Sequence, residues 1–211
     1  MIYAHEQAES RAVYRGPRPD FPLEDKGLLN QMHEYLEGRN LPMKLATRNG
    51  WYPADYRDAP RIIIPCSNSL GLPYWQGRDM SGKSPIRYAS PSAPRDDSIV
   101  ICWPSGKMAG CVIVEGPMDA LAAASVGFLG LGVMGNQLNA DVVDHIARYA
   151  RGFKCAFVLP DTDAPYFGAA MVAQLAQRGL SVRALEPRLK DLAATPPSQR
   201  KSLLHGEQNE R

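Results

Sequence analysis

Between residues 110 and 185 the sequence alternates short apolar runs with helix-length stretches, and this alternation constrains the fold more than any other feature. The apolar runs predict strands over 111–115, 128–131, 154–160 and 181–185. Between them the pattern predicts three helices. The first opens at Pro117 and stops at Gly127, the second is capped by Asn139 or Asp141 and ends near Gly152, and the third covers 168–178 before Gly179. Runs this uniformly apolar suit strands buried on both faces, as in a parallel sheet. Strand–helix–strand order therefore predicts an α/β fold, a parallel sheet covered by helices.

The upstream texture differs. Residues 1–24 are polar, with Arg11, Arg15 and Arg18 interleaved among prolines, and read as an irregular arm. An amphipathic helix follows over 25–38, with Leu28, Leu29, Met32, Tyr35 and Leu36 on one face, Asp25 as cap and Gly38 as stop. Segments 61–65, 72–78 and 99–103 read as short strands. The link between the first two is too short for a crossover helix, so antiparallel pairing is expected. The resulting division is an arm (1–24), a small α+β subdomain (25–107), the parallel-sheet domain (108–195) and a C-terminal helix or tail (196–211).

Bulk composition excludes some classes. The chain has 211 residues and a formal charge of +2, so charge alone does not demand a nucleic-acid partner. Cys66, Cys102, Cys111 and Cys155 form no CxxC pair, so no zinc ribbon and no zinc are expected, and they read as buried apolar side chains. No signal peptide or membrane span is expected, which makes a cytoplasmic protein the default.

Two of the strands end in acid: Cys111-Val-Ile-Val-Glu115-Gly116 and Cys155-Ala-Phe-Val-Leu-Pro-Asp161-Thr-Asp163. Parallel sheets hold their ligands at the carboxyl ends of strands. Acids gathered there repel one another unless a cation shares them, and hard oxygen ligands suit Mg²⁺. Taken singly, each acid could equally cap a helix. His145 falls in an amphipathic helix and reads as structural.

Gly77-Arg-Asp-Met-Ser-Gly82-Lys83-Ser84 matches the phosphate-loop pattern G-x-x-x-x-G-K-[ST]. That motif needs a helix after the Lys. Pro85 biases Ser84 away from helical angles, and Ile86-Arg87-Tyr88 starts no helical pattern. A glycine-rich hairpin loop is expected instead.

Val114-Glu115-Gly116-Pro-Met-Asp119 resembles the E-G-x-x-D motif of the TOPRIM domain, which is shared by bacterial-type primases, topoisomerases and some nucleases. Leu159-Pro-Asp161-Thr-Asp163 resembles its D-x-D motif, with a turn that looks lengthened before Gly168. Gly132-Val-Met-Gly135 is similar to the loop between those motifs, and Leu189-Lys190-Asp191-Leu192 to the K-D segment of primases. Upstream, Arg61-Ile-Ile-Ile-Pro65, Gly77-Arg78 and Arg87-Tyr88-Ala-Ser-Pro91 resemble a primase run that forms a basic surface for template and nucleotide. Neither a zinc ribbon nor a long C-terminal helical subdomain is evident in these residues.

The resemblance implies a TOPRIM-like sheet preceded by a small α+β subdomain. It implies a primase-type nucleotidyltransferase acting on single-stranded DNA with ribonucleotides, in phage-like compact form. Glu115, Asp161 and Asp163 would be catalytic and would hold Mg²⁺ or Mn²⁺ with Asp119 and Asp191. Asp119 could instead stabilise the first turn of its helix. Arg78, Lys83, Arg87, Tyr88 and Lys190 would meet phosphate, nucleotide or template, and Trp75 could stack on a base or fill a core. Expected partners are the DNA template, nucleoside triphosphates and a replicative helicase or other replication protein, with no membrane. Two other readings use the same residues: a metal-dependent nuclease, and a non-catalytic adaptor that binds nucleic acid or a replication protein.

Overall fold

The structure is a computed structural model that describes residues 25–71, 74–92, 95–135, 138–186 and 191–206. The arm at 1–24 and Lys190 lie outside the described residues.

The first helix, α1 (Lys26–Glu37), is capped by Asp25, whose Oδ1 accepts from Leu28 N at 3.0 Å. Leu28, Met32 and Leu36 are its buried face. A short helix, α2 (Met43–Arg48), leads into a four-stranded antiparallel sheet ordered β1 (Tyr52–Asp55), β2 (Pro60–Cys66), β3 (Tyr74–Asp79) and β4 (Tyr88–Ala89). Its register alternates two faces. Ile62 and Ile64, with Arg78 and Tyr88, point toward α1, while Ile63 and Trp75 build a small core with Ala54 on the reverse.

The second sheet has five strands in the order β5 (Ile99–Cys102), β7 (Phe128–Val133), β6 (Gly110–Val114), β8 (Ala156–Val158) and β9 (Val182–Ala184). β6 pairs in parallel with both β7 and β8, and β8 with β9, while β5 closes one edge antiparallel to β7. The helices between them are α3 (Pro117–Ser125), α4 (Ala140–Ala150) and α5 (Pro165–Gln177), and α6 (Pro197–Gly206) follows the sheet. α4 and α5 cover one face with Val142, Val143, Ile146, Met171 and Leu175. On the other face α3 shares a continuous core with α1, β2 and Leu203 and Leu204 of α6, which welds the two sheets together.

α3 lies unusually close to β7. A methyl group on Gly130 would collide with the backbone of Ala120, and one on Gly132 would sit 3.0 Å from the Gly116 carbonyl. Those two glycines seat the start of α3 directly on the sheet.

Some boundaries differ from the sequence reading. Strand 154–160 contracts to Ala156–Val158. The third helix starts at Pro165 rather than 168, because proline fits the first helical position. The turn after Asp163 is therefore short, and Gly168 lies inside the helix against Pro160. Trp75 is 1% exposed, packs edge-on to Tyr56 at 4.8 Å, and belongs to the core rather than to any stacking surface. All four cysteines are buried and free. His145 is buried, with Nδ1 2.8 Å from the Asp97 carbonyl.

Candidate functional site

β6 leads through α3 to β7 on one side, while β8 flanks β6 on the other and leads onward to β9. The chain thus diverges between the carboxyl ends of β6 and β8, the switch point at which open α/β sheets bind ligands. Glu115 follows β6 and Asp161 follows β8, and they meet there: Asp161 N donates to Glu115 Oε1 at 2.9 Å. Burial raises the Glu115 carboxyl above its ordinary range, and the charge of Asp163 adds to the rise. Asp163 itself is exposed at the rim.

Asp119 stands one turn into α3, 8% exposed. Its Oδ1 accepts from Ala193 N at 2.8 Å, so the side chain ties the first turn of α3 to the turn that carries Asp191. Burial pushes Asp119 up to about 7, with Asp191 and Asp161 adding repulsion. Asp191 Oδ1 accepts from Ala194 N at 2.6 Å. Glu115, Asp119, Asp161, Asp163 and Asp191 therefore share one edge of the molecule, where the proton affinities of Glu115 and Asp119 are raised. Among the described residues, however, no three Asp, Glu, His or Cys side chains converge as a ready-made metal cage.

The basic residues occupy the β3–β4 hairpin. Arg78 and Tyr88 are cross-strand partners, with the Arg78 guanidinium 4.9 Å from the Tyr88 ring centre and 5.7 Å from that of Tyr35. Arg78 Nε donates to Tyr35 Oη at 2.6 Å, while its buried Nη1 has no hydrogen-bond partner among the described residues. Burial pushes the Tyr88 hydroxyl up to about 12; Arg78 opposes this, and Tyr35 and Asp119 add to it. The hairpin thus faces the acidic edge through Tyr88. Lys83 and Arg87 are exposed in the loop, and Arg87 reaches over Tyr88 at 6.0 Å.

The letter-perfect phosphate loop is held as a hairpin by two residues outside the motif's logic. Asp79 Oδ1 accepts from the amide of Ser81 at 3.0 Å and its Oδ2 from the amide of Ser84 at 3.3 Å. Arg61, fully buried opposite Asp79, donates to the carbonyls of Tyr56, Gly77 and Ile86 and to Ser84 Oγ. A side chain on Gly77 would press on Arg61 Cδ at 3.1 Å. The loop's polar groups are therefore spent internally.

Three participants had no signal in the sequence. Tyr35 looked like one more apolar position on a helix face. Asp79 sat inside the apparent phosphate loop. Arg200 belonged to an unassigned tail, yet it is completely buried and donates to the carbonyls of Leu192, Ala193, Arg39 and Asn40 beside the Asp191 turn.

A comparison with protein-family models gives no match, and neither does a comparison with curated proteins. Solved structures do match. The primase domains in a bacteriophage T7 lagging-strand DNA polymerase assembly superpose with a TM-score of 0.53 at 19% identity, over 82% of this chain and 86% of that one. The primase fragment of the bacteriophage T7 primase-helicase gives 0.60 at 18% identity, over 95% and 85%. The RNA polymerase domain of Mycobacterium tuberculosis primase DnaG gives 0.59 at 13% identity, over 96% and 82%. The fold is that of phage and bacterial primase catalytic cores.

Proposed function

We propose that the protein is a primase-type nucleotidyltransferase that joins ribonucleotides on a single-stranded DNA template, and that residues 108–195 form its TOPRIM domain. The observation that carries the reading is the meeting of Glu115 and Asp161 at the carboxyl ends of β6 and β8, the switch point where open α/β sheets bind ligands. Arg78, paired with Tyr88 across the hairpin, has the planar guanidinium fork that suits phosphate oxygens.

The donors at the edge are all hard carboxylate oxygens, and the proton affinities of Glu115 and Asp119 are raised, which fits Mg²⁺ or Mn²⁺. Mg²⁺ keeps several waters and is bound through one or two carboxylates plus substrate phosphates. Glu115, Asp161 and Asp163 would hold it, with Asp119 and Asp191 behind them. When bound, the ion neutralises charge on the transferred phosphoryl group. Arg78 orients a phosphate, Lys83 and Arg87 attract the template backbone, and Tyr88 limits water between the hairpin and the acids. Lys190, outside the described residues, is a further candidate for phosphate or template contact. Deprotonated Glu115 accepts a proton near the reacting 3′-hydroxyl, which its raised proton affinity favours.

The likeness to domains of a primase-helicase and of a polymerase assembly supports replication proteins as partners. No helix among the described residues is long and apolar enough to cross a membrane. The test is primer synthesis from ribonucleotides on single-stranded DNA, with Mg²⁺ and with Mn²⁺, and with a replicative helicase added. Product that disappears in Asp161→Ala and Asp163→Ala supports the proposal. Strand cleavage with the same mutant sensitivity points to a nuclease. DNA binding without turnover, indifferent to those substitutions, points to an adaptor.

A further inference from the structure

The five-stranded sheet has two edges of opposite charge. Glu115, Asp161 and Asp163 lie where β6 and β8 end. The segments that lead into β6, β7, β8 and β9 are 103–109, 126–127, 151–155 and 178–181. They contain Lys107, Arg151, Lys154 and Arg178, and neither Asp nor Glu. Among the described residues, only Arg178 of these is ion-paired, to Asp144. Because β5 runs antiparallel to β7, its end at Cys102 also reaches this second edge, and Trp103 follows it. The length of β6 separates the edges by about 17 Å.

Trp103 is 45% exposed, whereas Trp51 and Trp75 are 2% and 1% exposed. Its exposure is held in place. Asn49 Oδ1 accepts from Trp103 N at 2.7 Å and Asn49 Nδ2 donates to Trp103 O at 3.1 Å, while Tyr149 meets the indole edge-on at 6.2 Å. A cleft of about 690 Å³ opens beside the two rings, and Arg48 is the one charged side chain among its described lining. α2 and the loop after Trp103 separate it from a second hollow of about 380 Å³, whose charged lining residues among those described are Lys44 and Lys107. A fixed, exposed indole backed by the half-buried Tyr149 ring, followed by cations over adjoining hollows, suits one ligand class: stacked bases with phosphates between them.

We propose that this second edge binds single-stranded nucleic acid, with a base stacked on Trp103 beside Tyr149 and the backbone running over Arg48 toward Lys44 and Lys107. The surface is separate from the acidic edge and needs no metal.

Trp103 is the only tryptophan that a ligand can touch, so the protein carries its own reporter. The whole chain is titrated in chelator, without nucleotides, with a deoxythymidylate oligonucleotide of about 12 residues. Saturable quenching of tryptophan fluorescence is expected, weakening steeply with salt. Arg48→Ala, which keeps the indole, should weaken binding roughly fivefold or more and lower the salt dependence. Trp103→Leu should abolish the quenching and weaken binding measured by anisotropy of a labelled oligonucleotide by a similar factor, while emission from Trp51 and Trp75 reports that the fold is intact. The absence of quenching overturns the proposal. So does quenching that Lys83→Ala with Arg87→Ala removes and Arg48→Ala does not, or equal quenching by poly-glutamate, which would assign the edge to acidic peptides. The chelator and the absence of nucleotides make the result independent of whether primer synthesis is found.

Discussion

Arg78 Nε donates a 2.6 Å hydrogen bond to Tyr35 Oη, joining the cross-strand pair of the β3–β4 hairpin to the opening helix. Arg39 lies over the other contact of that ring at 5.1 Å, so Tyr35 serves two cations. The bond fixes the fork of Arg78, whose Nη1 is buried without a hydrogen-bond partner among the described residues.

Tyr35→Phe removes the acceptor and keeps the ring. Hydrogen bonds to charged groups contribute about 1.5–3 kcal/mol, and a loss in this range is expected from urea denaturation. If Arg78 meets nucleotide phosphate, the same variant should raise KM for ribonucleotides several-fold with kcat little changed. Tyr35→Leu, which also removes the ring, should be worse on both counts.

Asp119 links stability to pH. Its carboxyl is pushed from 3.8 up to about 7, first by burial and then by Asp191. The folded state thus binds the proton more tightly than the unfolded chain. Its contribution is complete below about pH 4 and is lost as pH rises through about 7. Each tenfold difference in proton affinity is about 1.4 kcal/mol, so the loss is at most about 4 kcal/mol. In chelator, Asp119→Asn should flatten this part of the stability–pH profile and raise the melting temperature at pH 8, because the amide can still accept from Ala193 N. Divalent cation should stabilise the wild type at pH 8 and the variant much less.

Most of this arrangement was legible from strand ends. The alternation after Gly110 predicted parallel β6, β7, β8 and β9, because strands buried on both faces must be apolar throughout. Glu115 and Asp161 could be placed together because both follow such strands. Other features were hidden because tertiary contacts decide them. Ile99–Cys102 read as another strand of the upstream group, yet it pairs with β7, and nothing local distinguishes those two edges. Gly77–Ser84 matched a phosphate loop in letters alone. Arg61, distant in sequence, determines its shape.

Gly130→Ala tests whether the seat of α3 sets the site. The added methyl would meet the backbone of Ala120, which cannot rotate away as a side chain could. Overpacking costs about 1–3 kcal/mol, and a backbone obstacle belongs at the upper end. The expected result is a lower denaturation midpoint with an unchanged m-value. Activity should fall further than stability does, because the displaced helix carries Asp119 and follows Glu115 and Gly116. Gly127→Ala, where a methyl meets nothing within 4 Å but φ is +95°, provides the contrasting case of strain without displacement.

Arg200 connects parts of the chain that no secondary-structure element joins. Its guanidinium donates to carbonyls on both the 39–40 turn and the 192–193 turn. Burial lowers its proton affinity, and Asp119 and Asp191 counter that. Arg200→Leu would leave several buried carbonyls without donors and remove the cation behind two carboxylates. Breaking a buried charged network of this kind costs about 3–5 kcal/mol, measurable by chemical denaturation. The Asp191 turn should also loosen, with faster amide exchange at Ala193 and Ala194 than at Val112 or Ile113 in the centre of β6. If Asp191 assists in holding Mg²⁺, the variant should need more of the ion for half-maximal activity. Arg200→Lys, which keeps the charge but cannot reach both turns, should restore the metal requirement more fully than the stability.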